Sequence, residues 1–210
     1  MTVASALPVP FLARLFPELT PFPALLDELH RACQRHPLKP GQVLVEPGSH
    51  CDSVFFIEKG MVRAYYYNDN DNDNDNDNDN DNDNDDGSVT SWFAVEEGIC
   101  YFPHSYYYRE PTSGGLTSIE KGLAWSVTKS TLIRLVEHHP RLAVIMEKVS
   151  KYYLVEQEQH LKLLRLIRAS DRLACFRGLY PKVYGRVLTK HLATYLSMTP
   201  QTLCRLKKEA

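Results

Sequence analysis

From His36 to Tyr67 the chain reads HPLKPGQVLVEPGSHCDSVFFIEKGMVRAYYY. Short apolar runs alternate with Gly and Pro punctuation. Val54–Ile57 and Val62–Tyr67 are β-rich and flank a Glu-Lys-Gly turn at Glu58–Gly60. Further short runs of the same kind follow as SWFAV, GICYF, LTSI and LAWSV. A mean strand is only about five or six residues long. Several such strands at close spacing therefore predict a β-sandwich or barrel. Ahead of them, Leu25, Leu26 and Leu29 share one side of a helix expected from about Pro23 to Cys33.

The hairpin pattern is interrupted once. Residues 68–86 read NDNDNDNDNDNDNDNDNDD and hold ten of the 26 acidic residues. Asp and Asn form neither strands nor helices readily, and closely spaced carboxylates repel. The tract is expected to be a disordered loop inserted at a hairpin tip. A calcium loop of the EF-hand kind needs Gly at its sixth position and Glu at its twelfth. With Gly87 as the sixth, the twelfth falls on Phe93, so that match fails.

The whole chain has 210 residues, 43% of them hydrophobic, and a net charge of −2. The near-neutral balance hides a division. Outside the tract stand 24 basic and 16 acidic residues. From Leu161 onward there are eleven Lys and Arg against Asp171 and Glu209. A basic C-terminal quarter is an electrostatic footprint suited to nucleic acid. No apolar run approaches the roughly 18 residues of a membrane span. The opening MTVASALPVPFLARLFPELTPF lacks a basic lead and is broken by prolines 8, 10, 17, 21 and 23, so it does not read as a signal peptide. Five scattered cysteines without a CxxC pair argue against zinc ribbons, iron–sulfur clusters and a disulfide framework. The expectation is a cytoplasmic protein with no membrane association, no metal and no cofactor.

Pro140 opens a long segment free of Pro and Gly, from Arg141 to about Arg168. Heptad positions 142, 145, 149, 152, 156, 159, 163 and 166 read Leu, Ile, Val, Tyr, Glu, Gln, Leu and Leu. That pattern suits a two-stranded coiled coil with a polar break at Glu156 and Gln159. The same stripe would equally serve a helix packed on its own barrel. A further helix is expected over Ser170–Tyr180, with Ser170 as its cap and Pro181 ending it.

The tail HLATYLSMTPQTLCRLKKEA, His191 to Ala210, carries a spacing signal. Leu192, Leu196, Met198, Leu203 and Leu206 are apolar, and Ala193 is small where two helices must approach closely. Thr199 is an N-cap residue and Pro200 suits the first helical position. This is the buried-position pattern of a helix-turn-helix, with Ser197 at the turn where Gly is usual. A plain helical hairpin would share part of it. Residues not needed for packing are Gln201, Thr202, Arg205 and Lys208. Gln pairs with adenine and Arg with guanine, while Thr199, Thr202 and Lys208 suit phosphates.

Gly41, Gly48, Asp52, Phe56, Ile57, Gly60 and Val62 stand in an order that resembles the cyclic-nucleotide-binding jelly roll of Crp/Fnr-type bacterial regulators. The resemblance runs from about residue 22 to 210 apart from the Asp/Asn tract. The helical segment and tail most resemble the short regulators of this type common in Bacteroidetes, which stop at the recognition helix without a β-hairpin wing. The resemblance implies an α+β chain in three parts. A jelly-roll sensor would span 1–135, a connecting dimerisation helix 136–168, and a helix-turn-helix 169–210. It places three base-reading positions at Pro200, Gln201 and Arg205. It also implies double-stranded DNA, a second copy paired through helix 141–168, RNA polymerase and a small-molecule effector as partners.

In cyclic-nucleotide binders of that family a Gly-Glu pair holds the ribose, and Arg followed by Ser or Thr grips the phosphate. The matching positions here are Phe102 and Pro103, then Thr112 and Ser113. Without the gripping Arg the cyclic phosphate loses its bidentate partner. The resemblance thus implies a sensor that does not bind cyclic AMP in the usual way. Tyr106, Tyr107, Tyr108, Arg109, Thr112 and Ser113 are the candidate lining of a different effector pocket, or the tyrosines fill the barrel mouth. A metal-dependent enzyme of the cupin kind would need two histidines one residue apart and a third ligand, a spacing that the eight histidines do not offer. No nucleophile elbow, phosphate loop or paired-acid motif is visible. The chain reads as a regulator and not an enzyme. The rival reading is a sensor or scaffold whose tail binds protein.

Overall fold

The computed structural model describes residues 10–67 and 87–209. The Asp/Asn tract 68–86, expected as a disordered loop, lies outside the described residues. Eight strands are described: β1 (Gln34–Leu38), β2 (Val43–Val45), β3 (Ser53–Lys59), β4 (Val62–Tyr67), β5 (Ser88–Ala94), β6 (Ile99–Cys100), β7 (Gly114–Ser118) and β8 (Gly122–Thr128). They form two antiparallel sheets ordered β1-β8-β3-β6 and β2-β7-β4-β5. This interleaved order is that of a jelly roll, and the chain is α+β as the sequence implies. β4 and β5 pair from Val62↔Ala94 to Tyr67↔Ser88, so the tract joins two neighbouring strand ends.

The glycines of the opening stretch earn their places by conformation. Gly60 ends β3 at φ +92°, and a Cβ there would lie 3.2 Å from both the Gly122 Cα and the Lys121 carbonyl oxygen. A side chain at Gly122 would in turn collide with the Lys59 carbonyl. Two hairpin ends can therefore cross this closely only with glycine on both sides.

The helix expected from about Pro23 is present, and two further prolines also start helical segments. Pro10 begins α1 (Pro10–Leu15), Pro17 begins a 3-10 turn (Pro17–Leu19), and Pro23 begins α2 (Pro23–Ala32). A proline at a first helical position forfeits no hydrogen bond. Phe11, Leu12, Leu15, Phe16 and Leu19 are buried in the barrel core, with Phe16 edge-on to Phe56 at 5.5 Å.

After β6 comes α3 (Pro103–Tyr108), and after β8 comes α4 (Lys129–His138), which crosses the expected boundary at 135. The Thr128 side chain caps α4 by accepting the Thr131 backbone N–H at 3.2 Å. A 3-10 turn at Pro140–Leu142 leads into α5 (Ala143–Leu164). Here the expected coiled-coil seam is corrected. Leu142, Ile145 and Val149 are buried in the chain's own barrel core, Tyr152 packs against it, and Leu163 is buried in a second core with the C-terminal helices. The inner stripe is thus already satisfied within one chain. Each fully buried aliphatic side chain contributes about 1.5–3 kcal/mol, which a seam with a second copy could not also claim. The exposed apolar residues of α5 are Leu154, Val155, Leu161 and Leu164. Leu154 and Leu161 lie two turns apart, on the side away from the barrel. None of the described helices is long and apolar enough to cross a membrane.

The C-terminal unit comprises α6 (Ala169–Leu179), α7 (Thr189–Tyr195) and α8 (Pro200–Glu209). Ser170 is not the cap of α6. Arg168 holds that position in extended conformation, and the Ser170 hydroxyl instead meets Asp171 at 3.4 Å. The unit docks on the outside of the barrel. Met61 and Phe93 share a core with Phe176, Tyr195 and Leu196, and the Phe93 and Tyr195 rings lie 5.3 Å apart. The Thr90 backbone N–H donates to Thr194 Oγ1 at 3.1 Å. Arg186 grips two barrel carboxylates at once. Its Nη1 and Nη2 donate to the two Glu96 oxygens at 2.9 Å each. Its Nε and Nη2 donate to the two Glu120 oxygens at 3.0 and 2.6 Å.

The Arg186 guanidinium holds the Glu96 carboxyl down from 4.5 to about 2. A carboxyl whose pKa is depressed by folding stabilises the fold above its unfolded value and loses that contribution as pH falls through the folded one. The Arg186→Gln variant should accordingly be less stable than the parent at pH 6, and the gap should shrink between about pH 4.5 and 2. Urea midpoints of both chains across that window check this. A gap that stays constant with pH would contradict the ion pair's contribution.

Candidate nucleic-acid interface

The turn between α7 and α8 is built by three local devices. Ser197 takes a left-handed backbone at φ +50°. That reverses the chain so that the Met198 N–H returns to the Ala193 carbonyl at 3.0 Å. Ala193 is fully buried, as are Leu192, Leu196 and Leu203, so nothing larger would fit between the two helices. Thr199 then caps α8, its Oγ1 accepting the Thr202 N–H at 3.2 Å while its hydroxyl donates to Thr202 Oγ1 at 3.0 Å.

With Leu203 turned inward, the opposite face of α8 is open. Thr199, Pro200, Gln201, Arg205 and Lys208 are exposed and Thr202 is half-buried. Thr199, Pro200, Gln201 and Thr202 thus stand at the N-terminal end of α8, and Gln201, Arg205 and Lys208 follow one another along its open side. α7 lies between this face and the barrel, through its contacts to β5. Lys207 is less free, since its ammonium is 3.4 Å from Thr189 Oγ1 and 5.8 Å from the Tyr184 ring centroid. On the barrel-facing side, His160 of α5 stacks on Tyr195 at 4.0 Å and 4° and hydrogen-bonds the Tyr195 carbonyl at 3.0 Å.

The six predicted effector residues separate. Thr112 is buried, and its hydroxyl donates to the Gly114 carbonyl at 2.7 Å while its own N–H and C=O bind Ser49 and Gly48. It therefore fastens two turns together. Ser113 and Tyr108 are exposed, and Tyr107 reaches Ser150 of α5 at 3.0 Å. Only Tyr106 and Arg109 border a common cavity, of about 480 Å³, with His50, Asp52 and Lys129. Arg109 caps α3 in a left-handed conformation at φ +58°. Lys129 is held by the Tyr106 and Tyr107 carbonyls at 3.0 and 3.3 Å.

Between α3, the barrel and α5 lies an aromatic cluster. Trp92 stacks on Tyr152 at 6.0 Å and meets Tyr153 at 5.2 Å. Tyr101 meets Tyr106 at 5.4 Å and Tyr153 at 5.7 Å. Burial pushes the Tyr101 and Tyr152 hydroxyls up, and that of Tyr106 up to about 12. All three are neutral at pH 7 and offer an anion no cation. Among the described residues no group of three or more His, Cys, Asp or Glu gathers as a metal site.

No protein-family model and no curated protein matches the chain. Solved structures do. FixK2 from Bradyrhizobium japonicum superposes over 84% of this chain and 83% of its own, with a TM-score of 0.66 and 15% identity. The c-di-GMP-responsive global regulator CLP of Xanthomonas campestris gives 89%, 90%, 0.65 and 12% in the same order. A regulator of the Crp/Fnr family from Eubacterium rectale gives 93%, 87%, 0.65 and 11%. The fold is that of Crp/Fnr-type regulators, jelly roll and C-terminal helices together.

A non-glycine residue in left-handed conformation costs about 1–2 kcal/mol, and glycine returns part of that as unfolded-state entropy. Ser197→Gly is expected to raise unfolding free energy by about 0.5–1 kcal/mol. Guanidinium titration measures it, and a destabilised variant would show that the serine side chain serves the turn. Separately, cyclic AMP at millimolar concentration should leave the melting temperature unchanged. A ligand present at a hundred times its Kd would add about 2.7 kcal/mol, so a saturable rise absent with AMP would overturn this account of the sensor.

Proposed function

We propose that the chain is a homodimeric transcription regulator that reads double-stranded DNA with the N-terminal end of α8. The observation that carries this is the geometry of that helix. Its cap, buried seam and tight turn are all internal, while Pro200, Gln201, Arg205 and Lys208 face outward from the barrel. A helix presented in this way fits the major groove by its first turns. Arg205 stands one turn beyond Gln201, and together they suit a guanine and an adenine edge. Thr199, Thr202 and Lys208 suit phosphates.

Pairing is assigned to the outer side of α5. Leu154 and Leu161 are 66% and 56% exposed there, beside Leu164 and next to Gln157. An apolar stripe of this spacing on a charged, solvent-facing helix invites a second copy. Solved structures of like fold are described as regulators, which supports the regulator reading and is silent on pairing. The sensor's effector is a small molecule other than cyclic AMP bound in the usual way, and RNA polymerase is a further candidate partner.

Arg205→Ala is expected to weaken binding to a preferred duplex by about 1–3 kcal/mol and to relax preference at one base pair. Lys208→Ala should weaken binding to all duplexes alike and reduce the salt slope by about one. Fluorescence anisotropy on a preferred and a scrambled duplex at several salt concentrations separates the two. Should Arg205→Ala alter neither affinity nor preference in a folded chain, α8 is not the reader. Binding that is indifferent to salt would favour a protein-binding tail.

A further inference from the structure

We propose that Arg172 is a positioning residue for the reading helix. One guanidinium ties the connection after α5 to the C-terminal end of α7, and so fixes the angle between the helix that pairs two copies and the helix that meets DNA. The proposal rests on the reading of α8 given above.

Arg172 lies in the first turn of α6. Its Nη1 donates to the Leu166 carbonyl at 2.8 Å and the Ile167 carbonyl at 3.3 Å. Its Nε donates to the Leu196 carbonyl at 2.8 Å and its Nη2 to the Ser197 carbonyl at 3.2 Å. All four oxygens lie at or just beyond a helix end. The last carbonyls of a helix find no N–H further along the chain. Leu166 and Ile167 follow the end of α5, where the chain changes direction before α6. Leu196 is the C-cap of α7, and Ser197 is the left-handed residue that ends it. Neither pair can be satisfied by continuing its own helix. Leu196 and Ser197, at the end of α7, also carry the partial negative charge of a helix C-terminus, which favours a cation.

The side chain matches this task by its shape. A guanidinium presents its N–H groups in a rigid plane and fork, so it can meet two acceptors on one edge and two on another. Arg172 is half-buried and turned toward these carbonyls. Because Leu166 and Ile167 are bound to the same group as Leu196 and Ser197, the connection after α5 is not a free swivel. A change in the direction of α5 passes directly into the turn that aims α8. In a dimer that angle, taken twice, sets the separation of the two reading helices. It thereby sets which half-site spacing the pair accepts.

The test uses the full chain and its Arg172→Met and Arg172→Lys variants. Lysine keeps the charge but offers a point of donors in place of a fork. The first measurement needs no DNA: the rate of tryptic cleavage at Arg165 and Arg168, under native conditions. Both variants should be cut there about tenfold faster than the parent, as expected when a local opening becomes easier. The second is affinity for duplexes with half-sites at the preferred spacing, near 10 base pairs, and one base pair longer or shorter. The parent should discriminate between them by about tenfold or more and the variants by less than about threefold, at an unchanged salt slope. Equal cleavage in parent and variants overturns the clasp. Retained spacing preference with a salt slope lower by about one would make Arg172 a phosphate contact instead. A variant that has lost the melting transition of the barrel is replaced by the other, since only one of them must fold to decide. If the parent itself prefers no duplex, the DNA reading fails, and cleavage alone still decides whether Arg172 joins the two helix ends.

Discussion

The inner stripe of α5 is buried in two cores at once, and the architecture depends on that. Leu142, Ile145 and Val149 complete the barrel core, while Leu163, about four turns beyond Val149, completes the core of the C-terminal unit. A helix gripped at both ends by burial is a rigid spine, since pulling it out of either core would expose several fully buried side chains at about 1.5–3 kcal/mol each. The remaining contacts follow from where the spine delivers the C-terminal unit. Tyr195 arrives against Phe93 and His160, Thr194 arrives against Thr90, and Arg186 arrives between Glu96 and Glu120. α7 is consumed by this docking and α8 is left facing away.

Much of the strand pattern could be read in advance because its signals are local. The runs at Val54–Ile57 and Val62–Tyr67, the Gly60 turn and the later LAWSV run each became strands or turns where expected. The helix-turn-helix was legible for the same reason. A cap at Thr199, a proline at Pro200 and a small residue at Ala193 act within a few residues of one another. The turn resident Ser197 breaks the usual glycine preference, and the backbone pays with a left-handed conformation. What local signals left open was which surface covers an apolar stripe. The heptad stripe of α5 was real, but periodicity reports which side is apolar and not what covers it. The helix start at Pro23 was legible, whereas those at Pro10 and Pro17 rest on the burial of Phe11, Leu12 and Phe16.

The residues that join the parts gave no advance signal at all. Arg172 and Arg186 are two of many cations in a basic quarter, and no spacing rule distinguishes them. The partners that join the parts lie far off in the chain, 24 residues away for the Arg172–Leu196 bond and 90 for the Arg186–Glu96 bond. The effector region was partly hidden for a related reason. Three consecutive tyrosines point in three directions, so Tyr106 joins the buried cluster, Tyr107 reaches Ser150, and Tyr108 faces solvent beside His104. A cluster of Trp92, Tyr101, Tyr152 and Tyr153 occupies the region between barrel and spine with neutral rings.

The central claim is that α8, carried outward on this spine, reads DNA as one of a pair. Its most direct measurement is selection from a random duplex library by the purified full chain, followed by sequencing of the retained fragments. The account predicts an enriched two-fold-symmetric motif whose half-sites lie about 10 base pairs apart, one turn of the duplex. Retained fragments with no common sequence, or retention no better than that of an acidic protein of equal size, would contradict it.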